Sequence, residues 1–181
     1  MMMRIFLATL SCLLILAGCA WLGGKTTSAT ANLQPTKGSK VSGTVTFTQK
    51  GNKVLVAANM NGLTSGVHGF HVHEKGDCSA ADAMSAGGHF NPAGKPHGAP
   101  DSTEHHGGDL GNLTADKSGN ATLSIEVDGI SLDQTAANSI VGKSVVVHAN
   151  PDDLKSQPAG NSGPRLACGV IRMVEQTKSG Y

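Results

Sequence analysis

The chain has 181 residues, enough for one ordinary domain with a short appendage and too little for two independently cored ones. With 24 glycines, 3% aromatic and 15% charged residues, it lacks the Glu, Lys and Arg at helical spacing that a coiled coil or long amphipathic helix requires, and reads as a turn-rich β protein. A formal charge of +1 without basic clusters excludes the electrostatic footprint of a nucleic-acid binder and leaves a small partner.

Arg4 and the apolar run Ile5 to Ala17 have the form of an export signal, too short to span a bilayer comfortably, so residues 1–18 are predicted to be a cleaved signal peptide. The run closes on Leu16-Ala17-Gly18-Cys19, which resembles a bacterial lipobox, where the cysteine is acylated and becomes the new N-terminus; the alternative is an ordinary secretory signal in which Cys19 is incidental. Both readings send the chain to the periplasm or cell envelope. Cleavage removes Arg4 and no acid, so 14 Lys and Arg become 13 against 13 Asp and Glu, and global charge steers nothing. Residues 19–39, rich in Thr, Ser, Gly and Ala without apolar period, read as a flexible tether to a membrane, and residues 40–181 as the folded domain.

Val41, Gly43, Val45 and Phe47, then Val54, Val56 and Ala58 after the turn Lys50-Gly51-Asn52, predict a hairpin. Further strands are expected at Val67 to His73, Ala121 to Val127, Ser144 to Ala149 and Cys168 to Val174, the inventory of an all-β sandwich or barrel. Gly76 to Gly119 has almost no apolar period and reads as one long functional loop. With Cys12 in the signal and Cys19 lipidated, Cys78 and Cys168 remain; a disulfide is their natural use in an oxidising compartment, two free buried thiols the alternative.

Eight histidines beside one Trp and one Tyr point to metal. In Gly69-Phe70-His71-Val72-His73 the strand period puts His71 and His73 on one face and Phe70 and Val72 in the core. The following loop carries His89, His97, His106 and Asp109; three imidazoles and a carboxylate can fold round one ion, a donor set suited to zinc. Val145-Val146-Val147-His148 ends an apolar strand in an imidazole able to meet His71 and His73, and a nitrogen-only site suits copper.

The segments GFHVHEKGDC, GGHFNP, HGAP, HHGGDLGNL, VVVHANPDD and GPRLACGVI, in this order from about Lys40 to Met173, resemble the copper,zinc superoxide dismutase family in its bacterial exported, lipoprotein-type branch. The resemblance implies a Greek-key β-barrel or sandwich with long metal-binding loops, copper held by His71, His73, His89 and His148, and zinc by His89, His97, His106 and Asp109, with His89 shared. It also implies that Asp152 links His71 to His97, that Cys78 and Cys168 form the family's cystine, and that Arg165 guides the anion. The implied activity is dismutation of superoxide to oxygen and hydrogen peroxide, with His89 carrying a proton, as protection of the envelope against exogenous superoxide. Implied partners are superoxide and, through Cys19, a membrane; monomer and homodimer both stay open. His68 is read as a structural hydrogen-bonding residue. His105 is read as solvated, because the family spacing selects His106. The segment from His148 to Arg165 is shorter than in animal enzymes, and its steering charges are not matched one for one. A metal carrier on the same sandwich is the rival reading, and it has no need of Arg165.

Overall fold

The computed structural model describes residues 26–175; the expected signal peptide, Cys19 and the start of the tether lie outside the described residues. Among the described residues nine strands follow one another: β1 (Ser28–Pro35), β2 (Ser42–Lys50), β3 (Lys53–Asn61), β4 (Gly66–His73), β5 (Asp109–Ala115), β6 (Ala121–Val127), β7 (Ser144–His148), β8 (Arg165–Val170) and β9 (Arg172–Met173). Every pairing between them is antiparallel, in the order β5-β4-β7-β8-β1-β2-β3-β6, with β9 against β1. The end strands β5 and β6 lie side by side, so the sheet curls into a nearly closed barrel. Because β3 pairs with β6 and β4 with β7, the chain crosses the barrel ends between β3 and β4 and again between β6 and β7, which is Greek-key topology. The expected fold class is the one observed.

Alternation explains the inside. Val45 and Phe47 of β2, Val54, Val56 and Met60 of β3, and Val145 and Val147 of β7 are fully buried, while their sequence neighbours on β2 and β3 turn outward. The β2–β3 hairpin closes through Gly51-Asn52, with Gly51 at φ 60°, where a residue without Cβ is favoured.

Three expectations are corrected. Residues 28–35, read as tether, form β1: Ala29, Ala31 and Leu33 point inward at zero exposure, and Ala29 pairs with Phe47 and Ala31 with Val45. The folded barrel therefore begins before Lys40. The segment read as loop through Gly119 contains β5, whose alternation is broken by Gly111 at φ 77° and by a register shift opposite Gly69 to His71. The last strand begins at Arg165 rather than Cys168 and breaks at Ile171, giving β8 and β9.

Three long connections remain, residues 74–108 between β4 and β5, 128–143 between β6 and β7 and 149–164 between β7 and β8. The first and the last meet at Asp152, in the last, which bonds to His97 in the first. A disulfide between Cys78 and Cys168, with Cα atoms 5.8 Å apart, ties the first connection to β8. A short 3-10 turn over Met84–Ala86 packs its Ala86, with Ala83 and the cystine, against Val146 in a small satellite core.

Candidate metal centre

The strand order brings the histidines together. His71 and His73 lie on β4, opposite Val146 and Ser144 of its neighbour β7, which ends in His148. His148 in turn pairs with Arg165, the first residue of β8. Asp109 opens β5 directly across from His71. The remaining ligand candidates come from the first long connection, where Phe90 N–H donates to Val72 O and Gly108 N–H to Phe90 O, so the backbone beside His89 is laid onto β4 like an added strand.

Two clusters result, each with ligand atoms within 4.8 Å of one another: His71, His73, His89 and His148 in the first, and His89, His97, His106 and Asp109 in the second. All seven side chains are buried.

Hydrogen bonds fix the tautomers, because carbonyls and carboxylates only accept. His73 donates from Nδ1 to Gly87 O at 2.9 Å and His148 from Nδ1 to Gly163 O at 3.1 Å. Their Nε2 lone pairs consequently face one another at 3.3 Å. His71 donates from Nε2 to Asp152 Oδ2 at 2.7 Å, leaving Nδ1 with its lone pair. In the second cluster the Nδ1 atoms of His89, His97 and His106 converge on one oxygen, Asp109 Oδ1, at 2.8, 3.0 and 3.2 Å.

Of the buried ring nitrogens, His71 Nδ1 and His89 Nε2 have no hydrogen-bond partner, and His97 Nδ1 and His106 Nδ1 have only the crowded Asp109 Oδ1 within ion-pair distance. An unpaired buried polar atom costs about 1–3 kcal/mol, so two of them beside three rings crowded onto one carboxylate oxygen are hard to account for in a metal-free design. All four belong to the clusters, and in His71, His89 and His97 they are the nitrogens left over once the other ring nitrogen is committed. The donor sets thus fit one cation each: four imidazole nitrogens in the first, three and a carboxylate in the second, with His89 able to serve both through its two nitrogens.

The electrostatics agree. Burial pushes His71 down to about 4, although its bond to Asp152 opposes the shift; it pushes His148 down to about 3 and His73 to about 2. These rings are neutral at neutral pH, the state in which a lone pair is free for a metal. His97 goes the other way: burial lowers it, but bonds to Asp109 and Asp152 prevail and raise it to about 9. Burial would raise Asp109 and Asp152, yet the ring N–H groups around them hold both carboxyls well below the usual carboxylate range.

Around the ligands stands a supporting layer. Asp152 receives His71 at 2.7 Å and His97 Nε2 at 2.9 Å, bridging the two clusters from outside as the resemblance implied. Asn112 accepts from the Asp152 N–H at 2.8 Å and donates to its carbonyl at 3.0 Å, and Gln157 clamps the backbone N–H and carbonyl of His97. Gly160, at φ 61°, leaves the space Asp152 fills. The sequence reading did not single out these three; Asn112 lay inside the quoted HHGGDLGNL, while Gln157 and Gly160 carry no local signal. His68 is structural as expected, bonding to His148 O and Thr64 O. The expectation for His105 is corrected: it is buried, donating from Nδ1 to His106 O at 2.7 Å.

Arg165 donates from Nη1 to Ala83 O and from Nη2 to Gly87 O, both at 2.6 Å. Its guanidinium lines a cavity of about 920 Å³ together with His73, His89 and His148. An always-charged group held over imidazoles in an open cavity suits the capture of a small anion.

Set against known proteins, residues 41–171 match the family model described as copper/zinc superoxide dismutase (SODC). A solved structure titled as a crystal structure analysis of the clock protein EA4 is 40% identical, with 82% of this chain and 96% of that one covered and a TM-score of 0.74. The chain belongs to the copper/zinc superoxide dismutase family.

Proposed function

We propose that this chain dismutes superoxide: two superoxide anions and two protons give oxygen and hydrogen peroxide. The observation that carries the reading is His89, whose two nitrogens address two adjacent donor sets while Arg165 lines the cavity above the first. His71, His73, His89 and His148 would hold copper, and His89, His97, His106 and Asp109 zinc. Bound copper supplies a one-electron redox cycle, and zinc a fixed positive charge that orients the shared ring.

The chain's own groups do the rest. Arg165, with its fork partly committed to Ala83 O and Gly87 O, presents its remaining N–H donors and its charge to an anion entering the cavity. His89 Nε2 faces the first cluster while Nδ1 is committed to the second, so Nε2 is the atom able to hold a proton and release it to a reduced oxygen species in the cavity. Asp152 keeps His71 and His97 in their tautomers, and burial keeps His73 and His148 neutral. A metal carrier has no need of a fixed cation in the cavity beside its metal site.

The same proposal places the protein in the bacterial periplasm or cell envelope, cleaved after residue 18, anchored to a membrane through lipid on Cys19, and protecting the envelope from exogenous superoxide. The cystine supports an oxidising compartment. Mass spectrometry of the mature N-terminus tests the anchor: a diacylated Cys19 is expected, and a mature chain starting elsewhere contradicts it. Superoxide decay followed by stopped flow, with chain loaded with both metals against metal-free chain, tests the activity: only the loaded chain accelerates decay if the proposal holds.

A further inference from the structure

Met84 breaks the rule that large apolar side chains of this barrel are covered. It is 61% exposed, against 39% for Val67 and 42% for Val174, the other exposed large hydrophobics among the described residues. Of the other described methionines, Met60 is fully buried and Met173 half-buried. Met84 opens the 3-10 turn Met84–Ala86, entered through Ala83 at φ 58°, a left-handed conformation that a residue with a Cβ keeps only where its surroundings impose it. The surroundings do so here. Arg165 Nη1 donates to Ala83 O at 2.6 Å, and the Met84 N–H donates to Asp82 Oδ1 at 3.0 Å.

The turn is thus fastened by the guanidinium that faces the first cluster, and it holds Met84 on the wall of the same cavity of about 920 Å³ that His73, His89 and His148 line. Behind that lining His89 Nε2 is buried without a hydrogen-bond partner, and the Nε2 atoms of His73 and His148 face one another at 3.3 Å. A thioether is a soft, uncharged donor that favours Cu(I) over zinc, whereas imidazole accepts both. Cys78 and Cys168 are locked in the disulfide, so among the described residues the sulfur of Met84 is the exposed soft donor.

We propose that Met84 is an entry ligand for cuprous copper, taking Cu(I) at the cavity mouth and passing it to the imidazoles of the first cluster. The proposal rests on the reading of that cluster as the copper site. The transfer is ligand exchange: the Cu–S bond to Met84 breaks as Cu–N bonds to the imidazoles form, copper stays Cu(I), and no electron is transferred. It also gives selectivity at the entrance, since the thioether holds Cu(I) in preference to zinc.

The test uses the full chain loaded with zinc and free of copper, presented with Cu(I) as its bicinchoninate complex, with uptake read as bleaching of the chelate colour. Met84→Leu keeps the size and apolar character and removes the sulfur. It is expected to slow Cu(I) uptake roughly tenfold, about 1.4 kcal/mol by the standard conversion, while the final copper content and the uptake rate of Cu(II) stay unchanged. Equal Cu(I) rates for native and Met84→Leu overturn the proposal. So does slowing by Met84→Ala without slowing by Met84→Leu, which marks an apolar contact with a partner or chelator instead of a sulfur ligand. Final copper content separates the two levels: full loading at unchanged rate sinks the entry role alone, whereas failure of the native chain to load sinks the copper reading beneath it. A second readout uses Ag(I) on chain carrying 13C-methyl methionine. Substoichiometric silver is expected to move the Met84 methyl resonance before those of Met60 and Met173, and an unmoved Met84 contradicts the proposal.

Discussion

His73 and Arg165 share one acceptor: the carbonyl of Gly87 receives His73 Nδ1 at 2.9 Å and Arg165 Nη2 at 2.6 Å. A ring of the first cluster and the cation of the cavity are thereby positioned by the same peptide group. That peptide belongs to the connection which the cystine fastens to β8, the strand that begins with Arg165.

Reducing the disulfide is therefore expected to act twice. Opening a cross-link between residues 90 apart lowers stability by about 4–5 kcal/mol in the chain-entropy model. It also frees the segment carrying Ala83 O and Gly87 O, so Arg165 loses its fixed position. Denaturant midpoints with and without reductant measure the first effect, and superoxide decay at a denaturant-free condition where the reduced chain is still folded measures the second. A reduced, folded, fully metal-loaded chain with unchanged turnover contradicts this role of the loop.

Gly160→Ala is expected to damage the second cluster from outside it. The added Cβ would collide with Asp152 Oδ1 and lie 2.7 Å from His97 Nε2, at a residue whose φ of 61° already disfavours a side chain. The backbone conformation alone costs about 1 kcal/mol or more. Gly142→Ala, at φ 80° with nothing within 4 Å, isolates that backbone cost. Metal competition with a zinc chelator should show weaker zinc retention in Gly160→Ala and native retention in Gly142→Ala; equal behaviour of the two would mean that the Asp152 bridge does not matter.

His97→Ala and Asp109→Ala each remove a group confined to the second cluster. Both should lose zinc far more than copper after dialysis, read by metal analysis. Loss of copper with zinc retained would show the assignment of the clusters reversed.

Four ligands were legible because their geometry is local: HxH on a strand puts two rings on one face, and His106 with Asp109 three residues on meets at a single point, whereas His89, His97 and His148 were candidates by residue type whose place in the clusters came from the resemblance. What was not legible is long-range or weakly apolar. The strand β1 hid behind alanines, whose small apolar surface makes Ala29 and Ala31 read as linker although both are fully buried. β5 hid behind Gly111. Gln157 reaches His97 across 60 residues and Asn112 reaches Asp152 across 40, contacts that no spacing rule contains. His105 turned inward through a bond to the carbonyl of the very next residue, which neighbour counting does not anticipate.

The metal-free chain should lose stability in acid with a calculable sign. His71, His148 and His73 fold with values of about 4, 3 and 2 against an ordinary 6.5, so below about 6.5 the unfolded chain takes up protons that the folded chain refuses. Stability falls with falling pH by up to about 1.4 kcal/mol per pH unit for each such proton. Asp109 and Asp152, held below the usual range, add a loss in the same direction below about pH 4. His97 acts oppositely: raised to about 9, it stabilises fully below 6.5 and that contribution disappears as pH climbs through 9. Urea midpoints of metal-free chain from pH 4 to pH 9 should therefore peak near neutrality, and a midpoint that is flat or rising toward pH 4.5 contradicts the neutral buried rings.

The central claim, that these residues form a superoxide catalyst rather than a metal store, is tested most directly by pulse radiolysis of the native chain and Arg165→Glu, each with both metals confirmed by metal analysis. Arg165 is a member of neither ligand set, so Arg165→Glu should keep both metals and a little-changed copper spectrum. Turnover at low ionic strength should nevertheless fall steeply, because the carboxylate repels the anion and removes its donors, with Arg165→Lys intermediate and added salt slowing the native chain more than the Glu variant. A doubly loaded native chain that leaves superoxide to its spontaneous decay, or an Arg165→Glu chain as fast as native at low salt, would contradict the account.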